Sequence, residues 1–218
     1  MNSTQDNYSL EYGKMSKYAA RRYSYNVRLI ALLPLVKVGN RILDLGSATA
    51  DYPIDLMNKG MEITSMDIDM NSLRIAVAKN DNLPLVCGDA HAIPFRNESF
   101  DTVVIMNAFR YFENPTAALL ECWRVLTSAG NLVILDHNKH CPDSIVQKSD
   151  IVNYYSKNQL TKMMIESGFI VKSGDFLLIP FPSIPKAFLG LIGIIEKFMR
   201  KVRLDGYFPE MLITCRKG

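Results

Sequence analysis

The residues most able to do chemistry in this sequence are three carboxylates arranged around one tight turn. Arg41-Ile-Leu-Asp-Leu-Gly-Ser-Ala-Thr-Ala-Asp51 reads as a short apolar strand (Ile42, Leu43, Leu45) with Asp44 near its end, then a sharp turn through Gly46 and small residues. A helical pattern opens near Tyr52. Asp67 stands twenty-one residues past Gly46 at the end of a second apolar strand, and Asp89 follows a third. A small-residue turn lets backbone N–H groups approach a ligand closely, and a distant carboxylate offers two acceptor oxygens to the hydroxyls of a ribose. The pattern is that of a site for a nucleoside-type cofactor.

The wording of the turn separates one cofactor from another. A dinucleotide fingerprint reads G-x-G-x-x-G, usually with no carboxylate just ahead of it. Asp44 stands two residues before Gly46, where it would repel a pyrophosphate but attract an ammonium and a sulfonium. S-adenosylmethionine carries both, and the stretch resembles motif I of the class I S-adenosylmethionine-dependent methyltransferases. Further segments resemble the same family. Ile63-Thr-Ser-Met-Asp-Ile68 is similar to its second strand with the ribose-binding acid, and Val86-Cys-Gly-Asp-Ala-His-Ala-Ile-Pro-Phe95 to its adenine-contacting segment. Ser99 to Met106, Pro115 to Val125 and Gly130 to Leu135 are similar to the strand, helix and strand that follow. The likeness runs in register over about residues 40–136 and is to the small-molecule, methyltransferase domain 11-like branch.

The turn departs from the family at two positions. Ala48 and Ala50 stand where the family usually has glycine, which permits φ > 0 and close ligand approach. A non-catalytic S-adenosylmethionine-binding module is therefore an alternative to an enzyme. A nicotinamide-dependent oxidoreductase is more distant, given Asp44 and the missing G-x-G-x-x-G.

The resemblance implies a role for each site residue. Asp44 faces the methionine ammonium, and Gly46, Ser47 and Ala48 line the methionyl part. Asp67 takes the ribose hydroxyls. Ile68 packs on one adenine face, Asp89 and Ala90 meet its edge, and His91 sits at the rim. Asn107 falls beside the sulfonium. Arg110 and Tyr111 occupy positions where many relatives carry a His pair, so they are candidates for contact with the methyl acceptor; otherwise they are a surface arginine and a core tyrosine. Asp136, His137 and His140 follow the fifth strand. A histidine there, with an ordinary pKa near neutral, can act as general base for an O-methyl transfer, or be a solvated loop residue. His137 and His140 are too few for a metal site, and no metal is expected.

The elements that must position these residues alternate. Strands are expected near 41–45, 62–67, 84–87, 101–106 and 131–136, and helices near 52–59, 70–79 and 115–126. That order argues for a parallel sheet with helices on both faces. Ser128 to Gly130 reads as the turn before the fifth strand. Ser156 to Gly168 reads as a helix with an N-cap serine and a stopping glycine. Phe169 to Val171 and Asp175 to Ile179 read as one strand bulged at Gly174, and Met211 to Cys215 as the last strand. The resemblance closes these into a Rossmann-like, doubly wound seven-stranded sheet, mostly parallel with the last strand antiparallel. One domain over 1–218 is expected, with cap helices at about 9–33 and a lid-like insertion at about 182–207.

Composition bounds the partners. The chain has 218 residues, 48% hydrophobic and 22% charged, with a net charge of +3. That is too small a basic excess for a nucleic-acid binder. No two of Cys87, Cys122, Cys141 and Cys215 have C-x-x-C spacing, and Cys87 and Cys122 fall in core elements; they read as reduced thiols in a cytoplasmic protein. Met1 to Tyr8 is too polar for a signal peptide, and the apolar run Phe188–Ile195 is too short to cross a bilayer. Residues 186–203 form a basic amphipathic pattern: Phe188, Leu191, Ile192, Ile195, Phe198, Met199 and Val202 at helical spacing, with Lys186, Lys197, Arg200, Lys201 and Arg203 between them. Such a helix can lie on a membrane, cover an apolar pocket or join two copies, so the expected partners are a small-molecule or lipid-like acceptor and a peripheral membrane contact, in a monomer or homodimer.

Overall fold

In the computed structural model of the chain, the described residues are 19–141, 152–177, 189–202, 204, 206 and 208–218. Tyr8, Tyr12 and Tyr18 of the N-terminal segment, Lys186, Phe188 and Arg203 of the insertion, and Leu178 and Ile179 of the sixth strand lie outside them. Among the described residues, seven strands form one sheet: β1 (Arg41–Leu45), β2 (Glu62–Asp67), β3 (Leu85–Cys87), β4 (Phe100–Met106), β5 (Leu126–His137), β6 (Phe169–Leu177) and β7 (Glu210–Lys217). Their order is β3-β2-β1-β4-β5-β7-β6, with β7 antiparallel to both neighbours and the other pairs parallel. The strand order reverses between β1 and β4. In open α/β sheets the crevice outside the carboxyl ends of the strands at such a point is where ligands bind.

Six α-helices fall among the described residues: α1 (Ala19–Leu32), α2 (Asp51–Met57), α3 (Met70–Lys79), α4 (Pro115–Val125), α5 (Lys157–Glu166) and α6 (Leu189–Lys201). Alternation along β4 separates two cores. Val103 and Ile105 pack with Leu119 and Cys122 of α4 and Leu160 of α5, whereas Val104 and Met106 pack with Leu29 and Leu32 of α1 and Leu56 of α2. A strand buried on both faces reads as a continuous apolar run, which is how 103–106 is written.

Local chemistry sets the helix starts. The Asp69 carboxylate caps α3 by accepting from the N–H groups of Asn71 and Ser72. Asn114 caps α4 ahead of Pro115, whose missing N–H costs nothing at a first helical position. Ser156 and Gln159 form a reciprocal capping box at α5.

Four details differ from the sequence-based expectation. Strand β5 begins at Leu126 rather than 131, because the stretch read as a turn stays within it; Ala129 takes a φ of 66° there. The irregularity in β6 falls between Val171 and Ser173 against β7, not at Gly174. Cys87 is exposed, since β3 is a short edge strand, whereas Cys122 and Cys215 are buried, which raises their thiol pKa. Finally, Arg110 is buried and Tyr111 is exposed, the reverse of a surface arginine and a core tyrosine.

Candidate active site

The turn after β1 is held open from both sides. The N–H groups of Gly46 and Ser47 donate to Met66 O, at 2.8 and 3.1 Å, and the Ala48 N–H donates to Asp67 Oδ2 at 2.7 Å. The other Asp67 oxygen accepts from the Asp69 N–H at 2.8 Å. Asp67 thus ties the β1 turn to the β2 turn, and each oxygen keeps a further lone pair for a ligand hydroxyl. Three residues of the turn have left-handed backbones: Gly46 (φ 79°), Ala48 (φ 46°) and Ala50 (φ 56°). A Cβ at Gly46 would lie 2.4 Å from Ala108 Cβ, so glycine is required there by space as well as by backbone. The two alanines hold the conformation for which the family uses glycine, at a strain cost.

Beneath the turn lies Asp44, 4% exposed. Among the described residues no hydrogen bond or ion pair to its carboxylate is present. Burial, with the Asp67 carboxylate adding to it, pushes its pKa up to about 8. A buried anion without a partner is costly, and it calls for a cationic ligand. The Ser47 hydroxyl in the same turn is buried and also lacks a hydrogen-bond partner. This donor set suits an ammonium and opposes a pyrophosphate. Residues Asp44, Ser47 and Asp67 therefore fit S-adenosylmethionine.

At the end of β3, Ala90 is buried and Asp89 is exposed. Asp89 Oδ1 accepts from the His91 N–H at 2.9 Å and lies 2.6 Å from His91 Nδ1. His91 Nε2 lies 3.1 Å from the Asn114 N, accepting its N–H, while Nδ1 faces Asp89. His91 thereby joins the β3 loop to the start of α4. Ile68 is 66% exposed at the end of β2, a free apolar face beside the site.

Beyond β4, Asn107 adopts φ 57°, a backbone that asparagine tolerates. Its N–H donates to Leu135 O at 2.7 Å. Arg110 follows in a short 3-10 turn, Phe109–Tyr111. The Arg110 N–H and guanidinium both bond Asp136, and the guanidinium reaches Asn107 Oδ1 at 3.4 Å. It also lies over the Tyr111 ring, 4.7 Å from the centroid. Arg110 is therefore occupied by Asp136 and holds the ends of β4 and β5 together; it is not an exposed cation awaiting an acceptor. Tyr111 is 41% exposed at the rim.

His137 also corrects the expectation. Its imidazole is mostly buried, and burial, followed by the nearby Arg110 charge, lowers its pKa to about 3. It is uncharged at neutral pH, not a solvated loop histidine poised near neutrality. Its Nδ1 is buried with no hydrogen-bond partner, and Nε2 lies 3.6 Å from Glu210 Oε1. His140 is exposed and stands apart. Among the described residues, no cluster of three or more His, Cys, Asp or Glu could hold a metal ion.

Glu210 and its partner Arg28 carried no signal in the sequence, whereas Tyr25 stands in the Tyr- and Arg-rich N-terminal segment. Glu210, at the start of β7, is 1% exposed and forms a two-pronged ion pair with Arg28 of α1. Tyr25 of α1 donates to Asp55 at 2.8 Å and stacks on Tyr52 at 4.4 Å. Helix α1 is thus fastened over the start of α2 and the β5–β7 corner, the edge that carries Asp44, Asn107 and His137. An arginine in a Tyr/Arg-rich helix and a glutamate before a strand are each ordinary, and only their pairing across 182 residues gives them meaning. Two surface depressions, of about 500 and 410 Å³, open at the opposite, amino-terminal edge of the sheet; neither touches these residues.

Comparison with known proteins gives this geometry its context. Residues 43–134 match a family described as a methyltransferase domain, Methyltransf_11. A demethylmenaquinone methyltransferase of Thermotoga maritima is 29% identical, over 60% of this chain and 70% of its own length. The ubiquinone/menaquinone biosynthesis C-methyltransferase UbiE of Pasteurella multocida is 32% identical, over 59% of this chain and 50% of its own. A demethylmenaquinone methyltransferase of Deinococcus radiodurans is 35% identical, over 50% and 48%. The chain thus spans about half the length of the latter two relatives. Among solved structures, an S-adenosylmethionine-dependent methyltransferase of Thermotoga maritima superposes with a TM-score of 0.75 at 18% identity, covering 97% of each chain. The cyclase SpnF superposes at 0.67 and 17% identity, covering 89% of this chain and 81% of its own. At such identities the superpositions show the fold alone, and a cyclase among them shows that the fold does not set the reaction.

Proposed function

We propose that the chain, whose residues 43–134 match a methyltransferase domain family, transfers a methyl group, by SN2 displacement, from S-adenosylmethionine to a small lipid-like acceptor of the reduced-quinone class. The observation that carries the cofactor half is the buried, unpartnered Asp44 carboxylate under a left-handed turn. The acceptor class follows from the relatives named for demethylmenaquinone. The left-handed φ of Ala48 and Ala50 weighs against the non-catalytic module, because the turn keeps its shape without the glycines.

When bound, S-adenosylmethionine supplies an electrophilic methyl group, so the protein's contribution is proximity, alignment and removal of water. Asp44 holds the ammonium, with the Gly46, Ser47 and Ala48 turn along the methionyl chain. Asp67 accepts from the ribose hydroxyls. Ile68, Asp89, Ala90 and His91 bound the adenine, and Asn107 lies beside the reacting centre. Arg110 is a positioning residue, acting through Asn107 and Asp136. Tyr111 meets the acceptor at the rim, and neutral His137 lines the acceptor side of the same edge. Helix α1 is a cap over this edge within the one domain.

The test is a transfer assay with methyl-labelled S-adenosylmethionine and a dithionite-reduced, short-chain prenyl hydroquinone. The expected product carries one added ring methyl. Binding of S-adenosylhomocysteine without transfer to any reduced quinone or phenol would overturn the acceptor reading. Asp67→Ala should weaken that binding by about 1–3 kcal/mol, the usual cost of unpairing buried polar groups; unchanged affinity would remove Asp67 from the ribose site.

A further inference from the structure

Helix α6 carries its amphipathic pattern the wrong way round for a core helix. Arg200 bonds Asp175 at 2.7 Å and the Phe176 carbonyl, and its guanidinium lies over the Phe208 ring. Glu196 pairs with Arg200 on the same side. The polar side of the helix is thus the side fastened to the domain, at the carboxyl end of β6. By the 3.6-residue repeat, Leu191, Ile194, Ile195, Phe198 and Val202 share the other side. They are 44–65% exposed, where a helix packed as a lid or on the core would bury them. Exposed Lys197 and Lys201 run along one flank of this stripe.

We propose that this outward face of α6 is a docking surface for an anionic lipid bilayer, with the helix lying in the plane of the interface. At 13 residues, roughly 20 Å, it is far too short to cross. No helix among the described residues is long and apolar enough to do so. An apolar stripe with lysines beside it matches an interface where acyl chains meet negative headgroups, and the lysine stems extend to keep their charge in water. A second copy of the chain fits less well. One face of a helix this long offers a few hundred Å², against about 800 Å² per partner in a stable interface. Pairing two such faces would also bring like-charged lysines together.

The position of α6 adds a consequence. Leu177, at the end of β6, pairs with Glu210, and Glu210 pairs with His137 across β7. The stripe therefore stands at the same sheet edge as the candidate active site, so a chain bound through it would take its acceptor from the membrane surface. That consequence rests on the proposed acceptor reading; the docking itself does not.

The experiment is flotation of the purified full chain, without cofactor or acceptor, with vesicles of phosphatidylcholine alone and with phosphatidylglycerol added. Expected is binding to the anionic vesicles, weaker binding to the neutral ones, and loss with added salt. Ile194→Glu with Phe198→Glu should lower the bound fraction at least about tenfold, and Lys197→Glu with Lys201→Glu should remove the preference for anionic lipid. Against misfolding of these variants, Phe198→Trp in a Trp123→Phe background should give a blue-shifted emission on vesicle addition. Absence of flotation, equal flotation of wild type and the double glutamate variant, or a stripe-dependent dimer that does not float would each overturn the proposal. Because acceptor turnover is not read, failure here leaves the methyl-transfer reading standing.

Discussion

Asp44→Asn should move stability and ligand affinity in opposite directions. The Asp44 carboxyl is 4% exposed, and its pKa is displaced from 3.8 to about 8. The unfolded chain ionises this group near pH 4, whereas the folded protein keeps it protonated through neutrality. Between those values the folded state binds more protons, so stability falls as pH rises. At about 1.36 kcal/mol per pH unit, the ceiling on this cost at pH 7 is about 4 kcal/mol. The asparagine amide removes the titration but is itself left unpaired, which costs about 1–3 kcal/mol. Asp44→Asn should therefore be more stable than wild type by roughly 1–3 kcal/mol at pH 7, and the difference should reverse sign toward pH 4, where the protonated carboxyl carries no titration cost and only the unpaired amide remains. Its affinity for S-adenosylhomocysteine should drop by about 1.5–3 kcal/mol, because a hydrogen bond to a charged group is lost. Urea unfolding followed by circular dichroism across pH 4–8 and calorimetric titration read the two effects. Stability curves for the two proteins that run parallel in pH, or unchanged affinity, would refute the view of Asp44 as a buried carboxyl, kept neutral by burial, that ionises against a cationic ligand.

Other perturbations follow from the same structure. Ala48→Gly should retain cofactor binding and stabilise the protein by about 0.5–1 kcal/mol, because it releases a left-handed alanine, whereas Gly46→Ala should lose binding and stability through the 2.4 Å approach to Ala108; thermal melts with and without S-adenosylhomocysteine separate the two. Arg28→Ala leaves Glu210 buried and uncompensated and should cost about 3–5 kcal/mol in urea unfolding; a cost below about 1 kcal/mol would show that α1 is not held through this pair. His137 gives a pH dependence of opposite sign to Asp44. Its folded pKa is lowered to about 3, so its contribution is complete above the unfolded value near 6.5 and is lost as pH falls toward 3. The two slopes largely cancel in wild type between about pH 5 and 6.5. His137→Gln should therefore gain about 2 kcal/mol relative to wild type on going from pH 7 to pH 5, and a constant difference would mean the imidazole is solvated.

Local patterns carried the sequence reading furthest where physics is local. Asp69, Asn114 and Ser156 cap their helices through backbone groups two or three residues away, so their identity alone marks the helix starts. The apolar runs of β1, β2 and β4 and the helical spacings between them dictate an alternating α/β chain. Ser128 to Gly130 lies inside β5 rather than ahead of it, because Leu126 pairs with Phe100 and Asn131 with Thr102, and the small residues between them form an irregularity with Ala129 left-handed. Reading failed at Cys87 because burial depends on whether a strand is central or at an edge, and pairing decides that. The left-handed Ala48 and Ala50 show that a glycine-rich pattern can be kept in shape without its glycines.

The sequence alone determined the order of elements, the Asp44–Gly46 turn and the spacing to Asp67 and Asp89, and hence the kind of cofactor site, because short-range hydrogen bonding and steric limits act within a few residues. Long-range packing set how charge and burial fall around that site. It set Arg110 against Asp136, Arg28 against Glu210, and His137 neutral among them. It left Asp44 without a partner and turned the apolar side of α6 outward. Each of these is a matter of desolvation and of contact between residues far apart in the chain, and both arise only when the sheet brings those residues to one edge.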